Sequence, residues 1–142
     1  MIVSESIRSK DTVFINPAMK MATGKIIGKR AYTLDTSTKV NVPDDATIIR
    51  NAIRSEGNVV SVNLIVNSDT GFNTTGSTGI ILGTIRDIPV PAAVIRGVCI
   101  AGYNEFTLSD FAAFTFGTDG VLSFRQAASH RTVAISFAYV AA

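Results

Sequence analysis

The sequence is poor in cysteine and in long apolar runs, and each shortage excludes a class of protein. The 142 residues include one cysteine, Cys99, which excludes an internal disulfide and a cysteine-based metal site. Cys99 lies in the apolar run of residues 98–101, which predicts a small buried hydrophobe. No stretch is apolar for long enough to span a bilayer, and residues 1–6 lack the features of a secretory signal. We therefore expect a soluble protein that is made in a cytoplasm and does not insert into a membrane.

Charge is also scarce. Charged residues make up 17% of the sequence, below the quarter or so that is usual in a soluble chain. This shortage predicts that part of the surface is covered, and an oligomer interface is the simplest cover. The net charge is only +2, and glycine and apolar residues separate the basic residues of the stretch 20–30. The sequence therefore favours a solvated edge there over contact with nucleic acid.

Strand signals dominate the rest of the chain. Short apolar segments recur at spacings of roughly ten residues, with turn-rich pieces between them, a pattern typical of an antiparallel β-sandwich or barrel. The candidate strands are residues 12–15, 25–32, 47–53, 58–67, 78–84, 93–102, 111–116, 121–126 and 132–140. We therefore predict an all-β fold.

One segment has a helical alternative. Residues 44–54 follow a proline, and Asp44 is a suitable cap for about two helical turns. The β-branched side chains of Thr47, Ile48 and Ile49 favour a strand instead.

Two predicted strands alternate clearly between apolar and small or polar residues. One apolar face consists of Val60, Val62, Leu64 and Val66, and a second consists of Val133, Ile135, Phe137 and Tyr139. The face opposite the second set is small and uncharged (Ala134, Ser136 and Ala138). Such a face suits contact with a neighbouring sheet or subunit.

A hairpin is predicted around the turn of residues 117–120. Asp119 tolerates left-handed backbone angles and Gly120 adopts them without steric cost, so the pair can close a hairpin. The flanking strands carry aromatic residues at alternate positions, including Phe114 and Phe116. The hairpin therefore needs a packing partner.

The first 45 residues differ from the rest, with basic residues, polar turns and only short apolar runs. We predict that residues 1–45 form an N-terminal attachment segment and that residues 46–142 form the compact β-sandwich or barrel head.

The order of motifs in the second part resembles a known family. The motifs are GNVVSVNL at 57–64, LGTIRDIPVP at 82–91, FGTDGVL at 116–122 and ISFAYV at 135–140. This order resembles the C-terminal head domain of receptor-binding proteins from tailed phages that infect Gram-positive bacteria. The resemblance covers roughly the last 90 residues. It implies a homotrimeric head at a phage tail tip or baseplate, in contact with other tail or baseplate proteins. It also implies a host cell-wall saccharide as ligand and no catalysis. Tryptophan, which many such heads stack on sugars, does not occur in this chain.

Two predicted loops carry side chains that suit a saccharide. Tyr103, Asn104 and Glu105 offer an aromatic ring, an amide and a carboxylate, and His130 and Arg131 lie together between the last two strands. These five residues are the candidate ligand-binding residues. The plainer interpretations are a solvent-exposed loop histidine and a turn in which Tyr103 covers the edge of the core.

No catalytic or cofactor motif emerges. Asp110 and Asp119 are candidates for an acid–base pair, but the turn already explains Asp119. There is no cysteine–histidine metal cluster, EF-hand spacing or phosphate loop, so no cofactor is predicted. The alternatives to a saccharide-binding adhesin are a purely structural virion protein and, less favoured, a hydrolase of wall polysaccharide.

Overall fold

Antiparallel strands make up most of the fold. The computed structural model describes residues 28–73 and 79–142. In these ranges the strands are β1 (Lys29–Tyr32), β2 (Leu34–Asp35), β3 (Thr47–Glu56), β4 (Val59–Phe72), β5 (Ile80–Ile85), β6 (Ile95–Gly102), β7 (Leu108–Phe116), β8 (Val121–Gln126) and β9 (His130–Val140). A 3-10 turn spans Thr36–Thr38. The all-β prediction is confirmed.

The strands form one sheet that nearly closes on itself. Its order is β1-β3-β4-β9-β6-β7-β8-β5-β2, and every neighbouring pair is antiparallel. β1 and β2 lie at opposite ends of this order, yet only Thr33 separates them along the chain. The two edges of the sheet therefore meet at Thr33, which gives the sheet its barrel-like shape.

The helical alternative for residues 44–54 is wrong. Thr47–Glu56 is β3, paired on one side with β1 and on the other with β4. The β-branched residues at its start fit a pleated surface better than a helix. Asp44 caps no helix and instead lies 3.9 Å from the Lys39 ammonium.

The predicted alternation in β4 and β9 is confirmed. The apolar face of β4 is at most 4% exposed, whereas Ser61 and Asn63 are exposed. On β9, Val133 and Ile135 are fully buried, and Ser136 and Ala138 point outward. Nine successive pairs, from Thr132–Asn67 to Val140–Val59, hold the two strands in this register.

Aromatic rings pack in the interior beyond the point where β9 stops pairing with β6. The two strands pair only through residues 132–134 of β9. Beyond that point Phe137 stacks on Phe114 of β7 with centroids 4.8 Å apart, and Tyr139 lies 5.5 Å from Phe116. The Tyr139 hydroxyl donates to the Pro89 carbonyl at 2.6 Å, and burial raises the pKa of Tyr139 to about 12. Ring packing thus replaces strand pairing at this end of the barrel.

The lone cysteine belongs to the core, as predicted. Cys99 is 2% exposed on β6, and burial raises the pKa of its thiol to about 12.

The β7–β8 hairpin forms as predicted. The Gly117 amide donates to the Val121 carbonyl at 3.0 Å, and the Asp119 carboxylate accepts from the Val121 amide at 3.2 Å. Gly120 has a φ of +84°. Phe114, Phe116, Leu122 and Phe124 all face the core at 4% exposure or less.

Part of the predicted attachment segment belongs to the sheet. β1 pairs with β3, and β2 pairs with β5. Residues 1–27, including the predicted strand 12–15 and most of the basic stretch, lie outside the described residues. The attachment role of residues 1–45 stays a prediction.

Gly120→Ala should destabilise the fold more than Gly57→Ala. Both glycines have positive φ, +84° and +62°, so both substitutions carry the left-handed penalty of about 1–2 kcal/mol. A Cβ at Gly120 would also lie 2.7 Å from the Ile85 carbonyl oxygen, whereas one at Gly57 meets nothing within 4 Å. Urea denaturation measures both free energies of unfolding, and equal losses would show that the hairpin does not contact β5 this closely.

Candidate functional site

An open depression lies at the end of the barrel where four strands begin or finish. Its volume is about 500 Å³. The walls come from the end of β4, the end of β6 with its following loop, the start of β7 and the start of β9. Three of the five candidate ligand-binding residues, Tyr103, His130 and Arg131, line it together.

Arg131 lies opposite a bulge in β4. The pairing of β9 with β4 shifts register between His130 and Thr132, where the single residue Arg131 opposes residues 68–71 of β4 and has no partner in the ladder. Its guanidinium lies 4.8 Å from the centroid of the Tyr103 ring, and Nη1 donates to the Tyr103 hydroxyl at 3.1 Å. The ring and the cation thereby hold each other at the rim of the depression.

Thr132 fixes the base of this rim. It is fully buried, and its hydroxyl donates to the Asn67 amide oxygen at 2.6 Å. The hydroxyl also lies 3.3 Å from the Tyr103 carbonyl. Both the Tyr103 loop and β4 are therefore attached to β9 directly beside the bulge.

His130 pairs with an aspartate that the sequence did not connect with it. Its Nε2 lies 2.8 Å from Asp110 Oδ2 on β7, an ion pair when the imidazole is protonated. This nitrogen has no well-aligned hydrogen bond to any residue within the described ranges, so the contact is chiefly electrostatic. The histidine side chain is only 18% exposed and belongs to β9, so the interpretation as a solvent-exposed loop histidine is wrong. Pairing with β4 resumes beyond the bulge, where His130 pairs with Phe72.

Asp110 and Asp119 do not form a pair. Asp110 lies near the start of β7, and Asp119 lies in the turn beyond its end. Phe116, the last residue of the strand, lies six positions beyond Asp110, a distance of about 20 Å. An acid–base role for these two carboxylates is therefore excluded on distance.

Asp45 shapes the wall opposite Arg131. Asn67 pairs with Thr132 and the next pair is Phe72 with His130, so residues 68–71 of β4 leave the ladder. Asp45 accepts hydrogen bonds from the Ser68 hydroxyl at 2.7 Å and from the Thr70 amide at 2.9 Å. These bonds, led by the one from Ser68, lower the pKa of Asp45. The carboxylate thus holds the part of β4 that lines the depression.

Asn104 and Glu105 do not line the depression. The Asn104 side-chain oxygen accepts from the Phe106 amide at 2.8 Å and from the Thr107 hydroxyl at 3.0 Å, so it holds the turn of its own loop. Glu105 is half-buried in this loop. The turn presents the Phe106 ring, which is 88% exposed.

Several residues of the site escaped the sequence reasoning. Thr70 and Ser109 are polar residues of strands, where side-chain alternation alone does not show which of them reach a common surface, and Asp110 was considered only as a partner of Asp119. The sequence did point to Phe106, because this second aromatic residue lies three positions after Tyr103 in the same predicted loop. Tyr103 is 62% exposed, so the alternative in which it covers the core edge is wrong.

Comparison with models of known protein families finds no match, and comparison with curated proteins finds none either. Across residues 28–73 and 79–142, no three histidine, cysteine or acidic side chains come together as a metal site. The same ranges hold no helix with the length and hydropathy needed to cross a bilayer.

The chemistry of the depression is that of polar recognition. A guanidinium, a phenol and an imidazole stand around it, with the side chains of Thr70 and Ser109 on its walls, and the Asp110 carboxylate contacts the imidazole. Together these groups have the donors and acceptors to bind several hydroxyl groups at once. The aromatic face of Tyr103 is already covered by the Arg131 guanidinium.

Asp45→Ala should loosen the depression, whereas Asp44→Ala should not. The first removes the acceptors of Ser68 and Thr70, and the second removes only a 3.9 Å ion pair with Lys39. We expect a lower melting temperature for Asp45→Ala at pH 7 and faster hydrogen exchange at the Thr70 amide.

The difference between wild type and Asp45→Ala should also depend on pH. The folded protein holds the Asp45 pKa below its ordinary value of 3.8. The carboxylate's stabilisation is therefore complete above that value and disappears as the pH falls through the lowered pKa. Thermal unfolding from neutral to strongly acidic pH measures this, and a difference that stays constant with pH would contradict the role given to Asp45.

Proposed function

We propose that this chain is a non-catalytic receptor-binding head of a phage virion, at the tail tip or baseplate, which recognises a host cell-wall saccharide. The resemblance in motif order supports the virion assignment, and the all-β barrel is compatible with it. The ligand class is supported by the depression itself.

The observation that carries the proposal is the Tyr103–Arg131 pair beside His130 and Asp110. These side chains project from strand ends and one short loop that hydrogen bonds attach to each other, so their geometry is set before a ligand arrives. The depression is open and polar, which suits a flexible, hydroxyl-rich chain better than a compact apolar molecule. A saccharide would meet hydrogen-bonding groups at the rim and the exposed Phe106 ring beside it.

Homotrimer formation is part of the proposal. An outer apolar patch, formed by Val98, Ile100 and Phe111, lies on the outward face of β6 and β7, with exposures of 65%, 41% and 76%. Ile100 pairs with Phe111 on one side and with Ala134 of β9 on the other, so the patch continues onto the small face of β9. The resemblance supplies the number of copies, and the patch supplies a surface that other copies of this chain would cover.

Arg131→Ala and Tyr103→Ala should each weaken saccharide binding by about tenfold, because each removes half of the ring–cation pair. The measurement is calorimetric titration with oligosaccharides released from Gram-positive cell walls, which avoids the gain from many sites engaging one surface. Arg54→Ala on β3 is the matched control and should bind as wild type does. Binding that both variants retain would move the ligand site elsewhere.

Two other results would replace the proposed function. Incorporation into particles with no binding to any wall preparation would favour the purely structural virion protein. Release of reducing sugar by the pure protein would favour the hydrolase.

Phe111→Asp should convert the trimer to single copies, because covering the outer apolar patch would then require a carboxylate to lose its water. Phe106→Asp is the control: Phe106 is even more exposed, at 88%, but lies in the loop after β6, outside the patch. Light scattering coupled to size exclusion gives the mass of each variant. A wild-type protein that runs as a single copy would contradict the trimer.

A further inference from the structure

A second groove lies on the outer surface of the sheet, away from the depression. It has a volume of about 510 Å³ and is bordered by β5, β6, β7 and β8. Strand register explains its chemistry. Arg96 of β6 pairs with Thr115 of β7, and Thr115 pairs with Ser123 of β8. The three side chains therefore form one row across the outward face.

A second arginine enters the groove from the neighbouring row. Arg125 lies two residues beyond Ser123 on β8, which places it on the same face. Two strand spacings, about 10 Å, separate β6 from β8, so the two long side chains can reach one ligand above Thr115. Arg96 and Arg125 both line the groove and both are exposed.

The groove carries positive charge that nothing in the described ranges neutralises. Among the residues that the structure describes, its lining includes no aspartate or glutamate. Within residues 28–73 and 79–142, neither Arg96 nor Arg125 makes an ion pair or a side-chain hydrogen bond. The other polar side chains of its lining are Asn41, whose amide nitrogen donates to the Gly79 carbonyl at 3.0 Å, and the hydroxyls of Thr115 and Ser123.

We infer that this groove binds a phosphate group. Two guanidinium forks and two hydroxyls offer more donors than the two oxygens of a carboxylate can accept, whereas a phosphate has three or four oxygens. The planar fork of arginine matches a pair of phosphate oxygens, and two positive charges balance a phosphate dianion. The apolar side chain of Ile81 at the edge of the groove would meet the organic part of a phosphate ester. This site is separate from the proposed saccharide site and does not depend on it.

The test is titration of the whole protein with inorganic phosphate, with glycerol 3-phosphate and with glycerol, followed by NMR on backbone amides and arginine Nε–Hε groups. We expect saturable shifts at Arg96 and Arg125 with the first two probes and none with glycerol. Arg96→Gln and Arg125→Gln should each weaken binding by about tenfold, and the double variant should abolish saturation. Affinity should fall as sodium chloride is added.

Arg50→Gln/Arg54→Gln is the matched control, since it removes two exposed arginines of β3 that lie outside the groove. This double variant should bind phosphate as wild type does, and so should Arg131→Ala, which affects only the other site. Saturation by inorganic phosphate would assign the site to free phosphate, and saturation by the ester alone would assign it to a phosphorylated molecule. Both results support the groove.

Absence of saturation by both probes would overturn the inference. So would equal losses in the two double variants, because the effect would then be general charge. The wild-type shifts locate binding without any substitution, so the test holds even if a groove variant proves unstable.

Discussion

The pairing of β4 with β9 is the constraint on which the rest of the molecule depends. Nine consecutive pairs fix which side chains of both strands face inward, and a shift of one residue would move each apolar set to the surface. The ladder then breaks at one place, between the pairs Thr132–Asn67 and His130–Phe72. That break frees Arg131 on one strand and residues 68–71 on the other. The candidate ligand site thus arises where the longest unbroken strand pairing in the described ranges is interrupted.

The sequence predicted the fold class because its signal is local. Alternation in β4 and β9 and the Asp119–Gly120 turn each appear within a few neighbouring residues, and each is confirmed. Strand ends were less predictable. β4 was predicted to end at Asn67, but it continues for five more residues to Phe72. Residues 68–71 look like a turn in the sequence, and the Asp45 carboxylate, which is distant in sequence, stabilises them as part of the strand by hydrogen bonds to Ser68 and Thr70.

The candidate site was predictable only in part. The grouping of Tyr103 with His130 and Arg131 follows from polar residues at the ends of predicted strands, and the structure brings these three together. The His130–Asp110 contact depends on which strands are neighbours, and the order β9-β6-β7 cannot be read from the residues themselves. The same holds for the row Arg96–Thr115–Ser123, whose members look unrelated along the chain.

The burial of Cys99 affects how readily the protein is oxidised. The thiolate is the form that attacks oxidants and alkylating reagents, and a pKa of about 12 leaves almost none of it at neutral pH. The sulfur is also shielded, at 2% exposure, by the strands around it. Oxygen and peroxide therefore react slowly with Cys99 while the barrel stays folded. The only thiol of the chain is therefore protected from oxidation in an oxidising environment.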